Sequence, residues 1–174
     1  MRSHDKSVVY AAVDQENARL EAELKKLKEE LPNDLKATLE AKHRATSIRC
    51  VNNMKQLGLA VRIYATDYSD DFPSDLKSIL PYANASKILR CPEDGDRPEV
   101  SIDDLKLQTV EQVASFSSYQ FLAPGPGKLE TDPNRVMFRC PIHGHVTLCD
   151  GSVQQIPLDS TNLVRIDGKL YLSR

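Results

Sequence analysis

Apolar residues near the start of the chain, Tyr10, Val13, Asn17, Leu20, Leu24, Leu27 and Leu31, follow one another at steps of three and four around the single polar Asn17, with Glu and Lys filling most positions between them. That spacing predicts a helix carrying a heptad seam. With Tyr10 at position a, Asn17, Leu24 and Leu31 also fall at a, while Val13, Leu20 and Leu27 fall at d. A polar Asn at one a position fixes register in a two-stranded coil, so the seam reads as a self-association surface. The competing reading is a lone solvated amphipathic helix, since about three heptads is short for a coiled coil.

Pro32 closes this segment or opens the next, and Asn33 or Asp34 can cap a second helix predicted over 35–67. Along it Cys50, Met54, Leu57, Val61, Tyr64 and Tyr68 alternate steps of four and three, and Ile48, Val51 and Ala60 widen the stripe. Asn52, Asn53, Lys55 and Gln56 interrupt it as either a subunit contact or a solvated face. Asp70, Asp71 and Pro73 end the helix, and Leu76 to Tyr82 reads as a short amphipathic helix or turn. Prolines and glycines then break the chain from Cys91 to Pro133, including Pro124-Gly125-Pro126-Gly127, leaving room for a helical turn opened by Ser101 and a strand within 115–122. Beyond Pro133 come five short runs, 135–140, 145–149, 152–156, 163–166 and 169–172, with Asp150-Gly151 and Asp167-Gly168 as two-residue hairpin signals. They predict an antiparallel meander. The expected fold class is α+β, a long helix whose stripe covers one sheet face, with Val136, Phe138, Val146, Leu148 and Val153 turned toward it and Gln155 sharing that side of its strand. The expected domains are a coiled-coil-like helix over 1–31 and a helix-plus-sheet domain over 32–174.

Composition narrows the function classes. The chain has 174 residues, 40% hydrophobic and 28% charged, without Trp, so one aliphatic core is expected. A formal charge of -2 gives no basic field for a phosphate backbone, and no nucleic-acid partner is expected. No run approaches the roughly 18 to 20 apolar residues that span a bilayer. The chain is therefore expected to be cytoplasmic, or else the part of a periplasmic or cell-envelope protein whose membrane segment lies upstream.

One block is more specific than any composition. Ala45-Thr46-Ser47-Ile48-Arg49-Cys50-Val51-Asn52-Asn53-Met54-Lys55-Gln56-Leu57-Gly58-Leu59-Ala60, followed by Tyr64-Ala65, Asp67 and Asp71-Phe72-Pro73, resembles the segment just after the membrane helix of bacterial prepilin-like proteins. Arg90-Cys91-Pro92-Glu93-Asp94 resembles their mid-chain Arg-Cys-Pro motif, and Asp150-Gly151-Ser152-Val153 is similar to the Asp-Gly signature of one subgroup. The histidine of that signature is not matched, since His143 and His145 stand seven and five residues before Asp150. The resemblance, covering roughly 31–155, implies a pilin-like fold and an architectural role in a type II secretion or type IV pilus-like assembly, with itself or other pseudopilin subunits as partners. A calcium site occurs in the C-terminal loops of some relatives, but no matching acidic cluster stands here.

Four cysteines, Cys50, Cys91, Cys140 and Cys149, allow three complete pairings and form no Cys-x-x-Cys. Arg90-Cys91-Pro92 and Arg139-Cys140-Pro141 repeat one tripeptide, which predicts that Cys91 and Cys140 lie close together. A Cys91–Cys140 disulfide is the first reading. Unbridged thiols stand level with it, and behind both comes a zinc site of Cys91, Cys140, His143 and His145, with Cys140-x-x-His143 as a ligand step and Glu93, Asp94 or Asp96 as further donors. No other cofactor is expected. His143, His145, Cys149 and Asp150 form no productive catalytic geometry in a strand and turn, and no enzyme is expected. The rival to an architectural subunit is a soluble coiled-coil adaptor whose sheet domain binds a metal or peptide; a hydrolase sharing the fold ranks last.

Overall fold

The computed structural model describes residues 4–95, 99–122, 133–156, 162–166 and 169–173, and side chains within them from residue 13 onward. The Tyr10 side chain, Asp96, residues 124–127 and Asp167-Gly168 therefore lie outside what is described. Contacts divide the chain into two compact units, 1–44 and 45–174. No helix among the described residues is long and apolar enough to cross a membrane.

The first unit holds helix α1 (His4–Glu30) and the start of α2 (Asn33–Asp67). Leu31-Pro32 separates them, and Lys36 N donates to the Pro32 carbonyl at 3.0 Å to begin α2. On α1 the seam residues Val13, Leu20, Leu24 and Leu27 are 49, 48, 55 and 54% exposed.

The second unit is α+β. Its sheet runs β1 (Gln120–Phe121), β2 (Val136–Arg139), β3 (His145–Leu148), β4 (Val153–Gln155) in spatial order, all antiparallel, and β5 (Leu163–Ile166) with β6 (Lys169–Leu172) forms a separate two-stranded sheet. The runs after Pro133 are thus not one meander. The last hairpin meets β2 through the Arg135–Tyr171 bridge.

Both faces of β2 and β3 are covered, so neither strand alternates between buried and exposed positions. On one face Met54, Leu57, Ala60 and Val61 of α2 join Met137, Phe138, Cys140 and Cys149 in the main core. On the other, Val136, Val146, Leu148 and Ile156 pack with Leu163, Leu170 and Leu172 of the last hairpin. Val136, Val146 and Leu148 were expected to face the long helix, and they face away from it. Two physical facts explain the inversion. A bulge between Val136 and Phe138 places these i, i+2 residues in different cores. On β3 it is the polar pair His145 and Thr147 that reaches α2, through Ser47 and the Met54 carbonyl. Val153 packs against the main core as expected, whereas Gln155 is exposed.

The stripe on α2 is narrower than its sequence suggests. Cys50, Met54, Leu57, Ala60, Val61 and Ala65 are buried, while Ile48 is 62% exposed and Tyr68, stacked on Tyr64 at 4.2 Å, is also largely exposed. Gly58 marks where the helix meets the sheet: a Cβ there would lie 3.0 Å from Thr147 Cγ2. At the helix end Ser69 and Asp70 take positive φ, and Asp70 N donates to the Ala65 carbonyl at 2.8 Å.

The middle of the chain is built from short pieces, each with a local reason. Two 3-10 helices, Lys77–Tyr82 and Ser86–Leu89, bring Ile79, Leu80, Ile88 and Leu89 into the core. Helix α3 (Ile102–Leu107) is capped by Ser101, which accepts from Asp104 N, and α4 (Val110–Phe116) carries a Thr109–Gln112 capping box. The Asp150-Gly151 turn is a three-residue loop, 149–151, closed by Leu148 and Ser152, and not a two-residue one: Leu148 N donates to Ser152 O and Gly151 N, at φ 84°, donates to Leu148 O. Arg62 Nη1 donates to the Asp150 carbonyl and ties that turn to α2.

Thr147 is fully buried between strands and cannot swing away from Gly58. Gly58→Ala should therefore forfeit the roughly 1 kcal/mol that Ala normally gains in a helix and destabilise by about 1 kcal/mol, because overpacking dominates. In a Thr147→Ser background, which removes Cγ2, the same change should become neutral or stabilising. Denaturant melts of the four proteins check this, and additive effects would contradict the close approach.

Candidate functional site

Three cysteines and one histidine converge inside the second unit. Cys50 lies on α2, Cys91 follows the second 3-10 helix, Cys140 follows β2, and His143 sits in the β2–β3 turn. Their three sulfurs and one imidazole nitrogen all lie within 4.8 Å of one another. Cys50 and Cys140 are wholly buried, Cys91 is 3% exposed, and the His143 side chain is 1% exposed.

Two related turns deliver Cys91 and Cys140. The repeated tripeptide extends to Arg-Cys-Pro-x-x-Gly, Arg90 to Gly95 and Arg139 to Gly144, and both glycines take positive φ, 67° and 75°. A left-handed glycine lets each turn fold back without steric cost. In the first turn Asp94 N donates to the Cys91 carbonyl at 3.0 Å; in the second Gly144 N donates to the Cys140 carbonyl at 3.0 Å. The second turn also aims His143 N at Cys140 Sγ, 3.4 Å away.

His143 is held from both sides. Its Nδ1 lies 3.2 Å from Cys91 Sγ and 3.9 Å from Cys140 Sγ, and its Nε2 lies 3.2 Å from Glu93 Oε2. Glu93 in turn accepts from Thr46 Oγ1 on α2. Around the rim, Tyr119 Oη lies 3.6 Å from Cys50 Sγ and 3.2 Å from the Arg90 carbonyl oxygen. Ser118 Oγ accepts from Cys91 N and donates to Asp94 Oδ2. Asn53 Nδ2 donates to the carbonyls of Arg90 at 2.9 Å and Lys87 at 3.3 Å, fixing the loop before Cys91 onto α2.

The cluster shares its protons unequally. Hydrogen bonds from Cys50, then Cys91, push the Cys140 thiol far below its usual range, with His143 N–H adding to the effect. Donating to Cys140 holds Cys50 well above its usual value, and Cys91 is pushed up to about 11, first by Cys140. Burial, and after it the neighbouring Cys50, raises Tyr119.

The sequence expectation is met in part. Cys91 and Cys140 do come together, but no disulfide joins any of the four cysteines. His145, expected among the zinc ligands, stays out of the cluster: its ring stacks parallel to that of His143 at 5.4 Å and its Nε2 lies 3.0 Å from Ser47 Oγ. Cys50 takes the fourth place. It is distant in sequence from both Arg-Cys-Pro turns and reads as one more apolar stripe residue. The available signal was Cys50 and Asn53, one helical turn apart and so on one face. Glu93 supports His143 from behind, and Cys149 is buried in the main core outside the group.

Compared with known protein families, characterised proteins and solved structures, the chain matches none.

With every cluster thiol buried, Ellman's reagent should find no fast-reacting cysteine in the native chain and four after unfolding in the presence of a chelator. Two thiols after unfolding without reductant would instead signal one disulfide, and a non-reduced peptide map would show whether it joins Cys91 to Cys140.

Proposed function

We propose that the chain is a structural, non-enzymatic pseudopilin-like subunit, or a region of one, that works by packing against copies or relatives of itself in a secretion- or pilus-like assembly at the cell envelope. The observation that carries this is apolar surface left in water on helices. Along α1, Val13, Leu20, Leu24 and Leu27 keep about half their surface exposed at heptad spacing. The described part of α1 gains support from the exposed pairs Arg19–Glu16 and Lys26–Glu30, worth only a few tenths of a kcal/mol each. A helix of this kind is stabilised mainly by burying its apolar face, so a second copy is the natural cover. Within the second unit, Ile48, Leu59 and Ile63 are likewise exposed on α2.

Two further observations support the reading. The residues that resemble prepilin-like proteins have structural occupations: Cys50 joins the cluster, Asn53 binds the loop, Leu57 fills the core and Gly58 admits the sheet. A long helix lying on an antiparallel sheet is also the arrangement that such proteins use. Catalysis is disfavoured by burial. Cys91 and His143 have the spacing of a nucleophile and base, yet a group exposed by 3% or less cannot meet a substrate carbonyl.

Sedimentation of the whole chain should show a concentration-dependent dimer. Leu20→Ala with Leu24→Ala should weaken it by about 2 kcal/mol or more per buried site. Asn17→Ile should relax the preference for two strands. A monomer at high concentration, with α1 still helical by circular dichroism, would end the seam proposal.

A further inference from the structure

We propose that Cys50, Cys91, Cys140 and His143 form a structural zinc site, with three thiolate sulfurs and His143 Nδ1 as ligands and Glu93 holding the imidazole from outside. The inference goes beyond the assembly reading, because metal loading is measurable whether or not the chain associates.

The geometry is that of a small tetrahedron. Zn–S bonds of about 2.3 Å and Zn–N bonds of about 2.05 Å give edges of about 3.8 Å between sulfurs and about 3.6 Å between sulfur and nitrogen. The distances from His143 Nδ1 to Cys91 and Cys140, 3.2 and 3.9 Å, straddle that edge. All four donor atoms fall within 4.8 Å of one another, so a shift of at most about half an ångström per side chain completes the site.

Plain core packing accounts for thiols, since a buried cysteine behaves as a small apolar residue. It does not account for a buried imidazole whose Nδ1 faces two sulfurs while its Nε2 faces a carboxylate. That carboxylate–histidine arrangement fixes the ring and its tautomer in zinc proteins. Thr46 anchors Glu93 in turn. A Cys91–Cys140 disulfide would leave Cys50 and His143 without a common purpose. The turn carrying Cys140 and His143 supplies two ligands three residues apart and points a backbone N–H at the first sulfur, which favours a thiolate there.

Four protein ligands in a buried site leave no open coordination position, so the metal is structural and not catalytic. Binding displaces the thiol protons into solvent and joins three chain segments, α2, the Cys91 turn and the β2–β3 turn. Metal affinity should therefore rise with pH.

The test uses the whole chain, purified under reducing conditions and loaded with zinc or cobalt(II). Elemental analysis should give one zinc per chain, and cobalt should show intense tetrahedral d–d bands with sulfur charge-transfer absorption. Cys50→Ser should abolish stoichiometric binding, whereas His145→Ala should keep it. Should Cys50→Ser fail to fold, His143→Cys decides: it should retain the metal with stronger sulfur charge transfer. Glu93→Gln should keep the stoichiometry and weaken affinity by about 10 to 100-fold against a chromophoric chelator. A folded, reduced chain that binds no stoichiometric metal would overturn the proposal. So would loss of metal in His145→Ala with retention in His143→Ala.

Discussion

The structure of residues 45–174 depends on one face of α2, from Cys50 to Ala65, being buried against two different partners at once. Its lower half, Leu57 to Val61, lies on the sheet at a separation so small that Gly58 has no room for a side chain. Its upper half, Cys50 to Asn53, holds the irregular middle of the chain by a sulfur cluster and a side-chain amide. Buried apolar area supplies the driving force in the first case, at roughly 25 cal/mol per Å². In the second, satisfaction of backbone carbonyls matters more: the Arg90 carbonyl, just past the second 3-10 helix, is taken up by the side chains of Asn53 and Tyr119.

That dependence explains why the middle segment tolerates so little regular structure. Between Phe72 and Phe121 the described residues form two 3-10 helices, two short α-helices and a two-residue strand. Ser117 and Ser118 take up the Leu89 carbonyl, and Tyr119 reaches the Arg90 carbonyl. Each bond is worth about 1 kcal/mol net, and leaving one unmade would cost more. The Arg-Cys-Pro-x-x-Gly turns bring Cys91 and Cys140 to Cys50, so the loop, the sheet and the helix meet at one point.

Much of the architecture was legible because period and punctuation are local properties. Steps of three and four marked α1 and α2, Ser101 marked the start of α3, and Asp150-Gly151 marked the β3–β4 connection. The facing of the sheet was not legible. A bulge at Met137 reverses the side-chain alternation that sequence spacing assumes, and β3 has apolar residues turned to a second core that the β5–β6 hairpin provides. The site was half legible. Cys91, Cys140 and His143 stood out through a repeated tripeptide and a three-residue step, while Cys50 was hidden because a cysteine in an apolar stripe looks like core. His145 was misassigned because closeness in sequence and space does not say where a ring nitrogen aims: its ring stacks on His143, yet its Nε2 meets Ser47 Oγ and not a sulfur.

Native-state hydrogen exchange tests most directly whether α2 and the sheet form one cooperative body. The amides of Met54 to Ala65 on α2 and those of β2 and β3 should share one opening free energy and lose protection together as denaturant rises. Exchange of the α2 amides at a markedly lower free energy, with β2 and β3 still protected, would contradict the account, since the sheet would then hold without the helix.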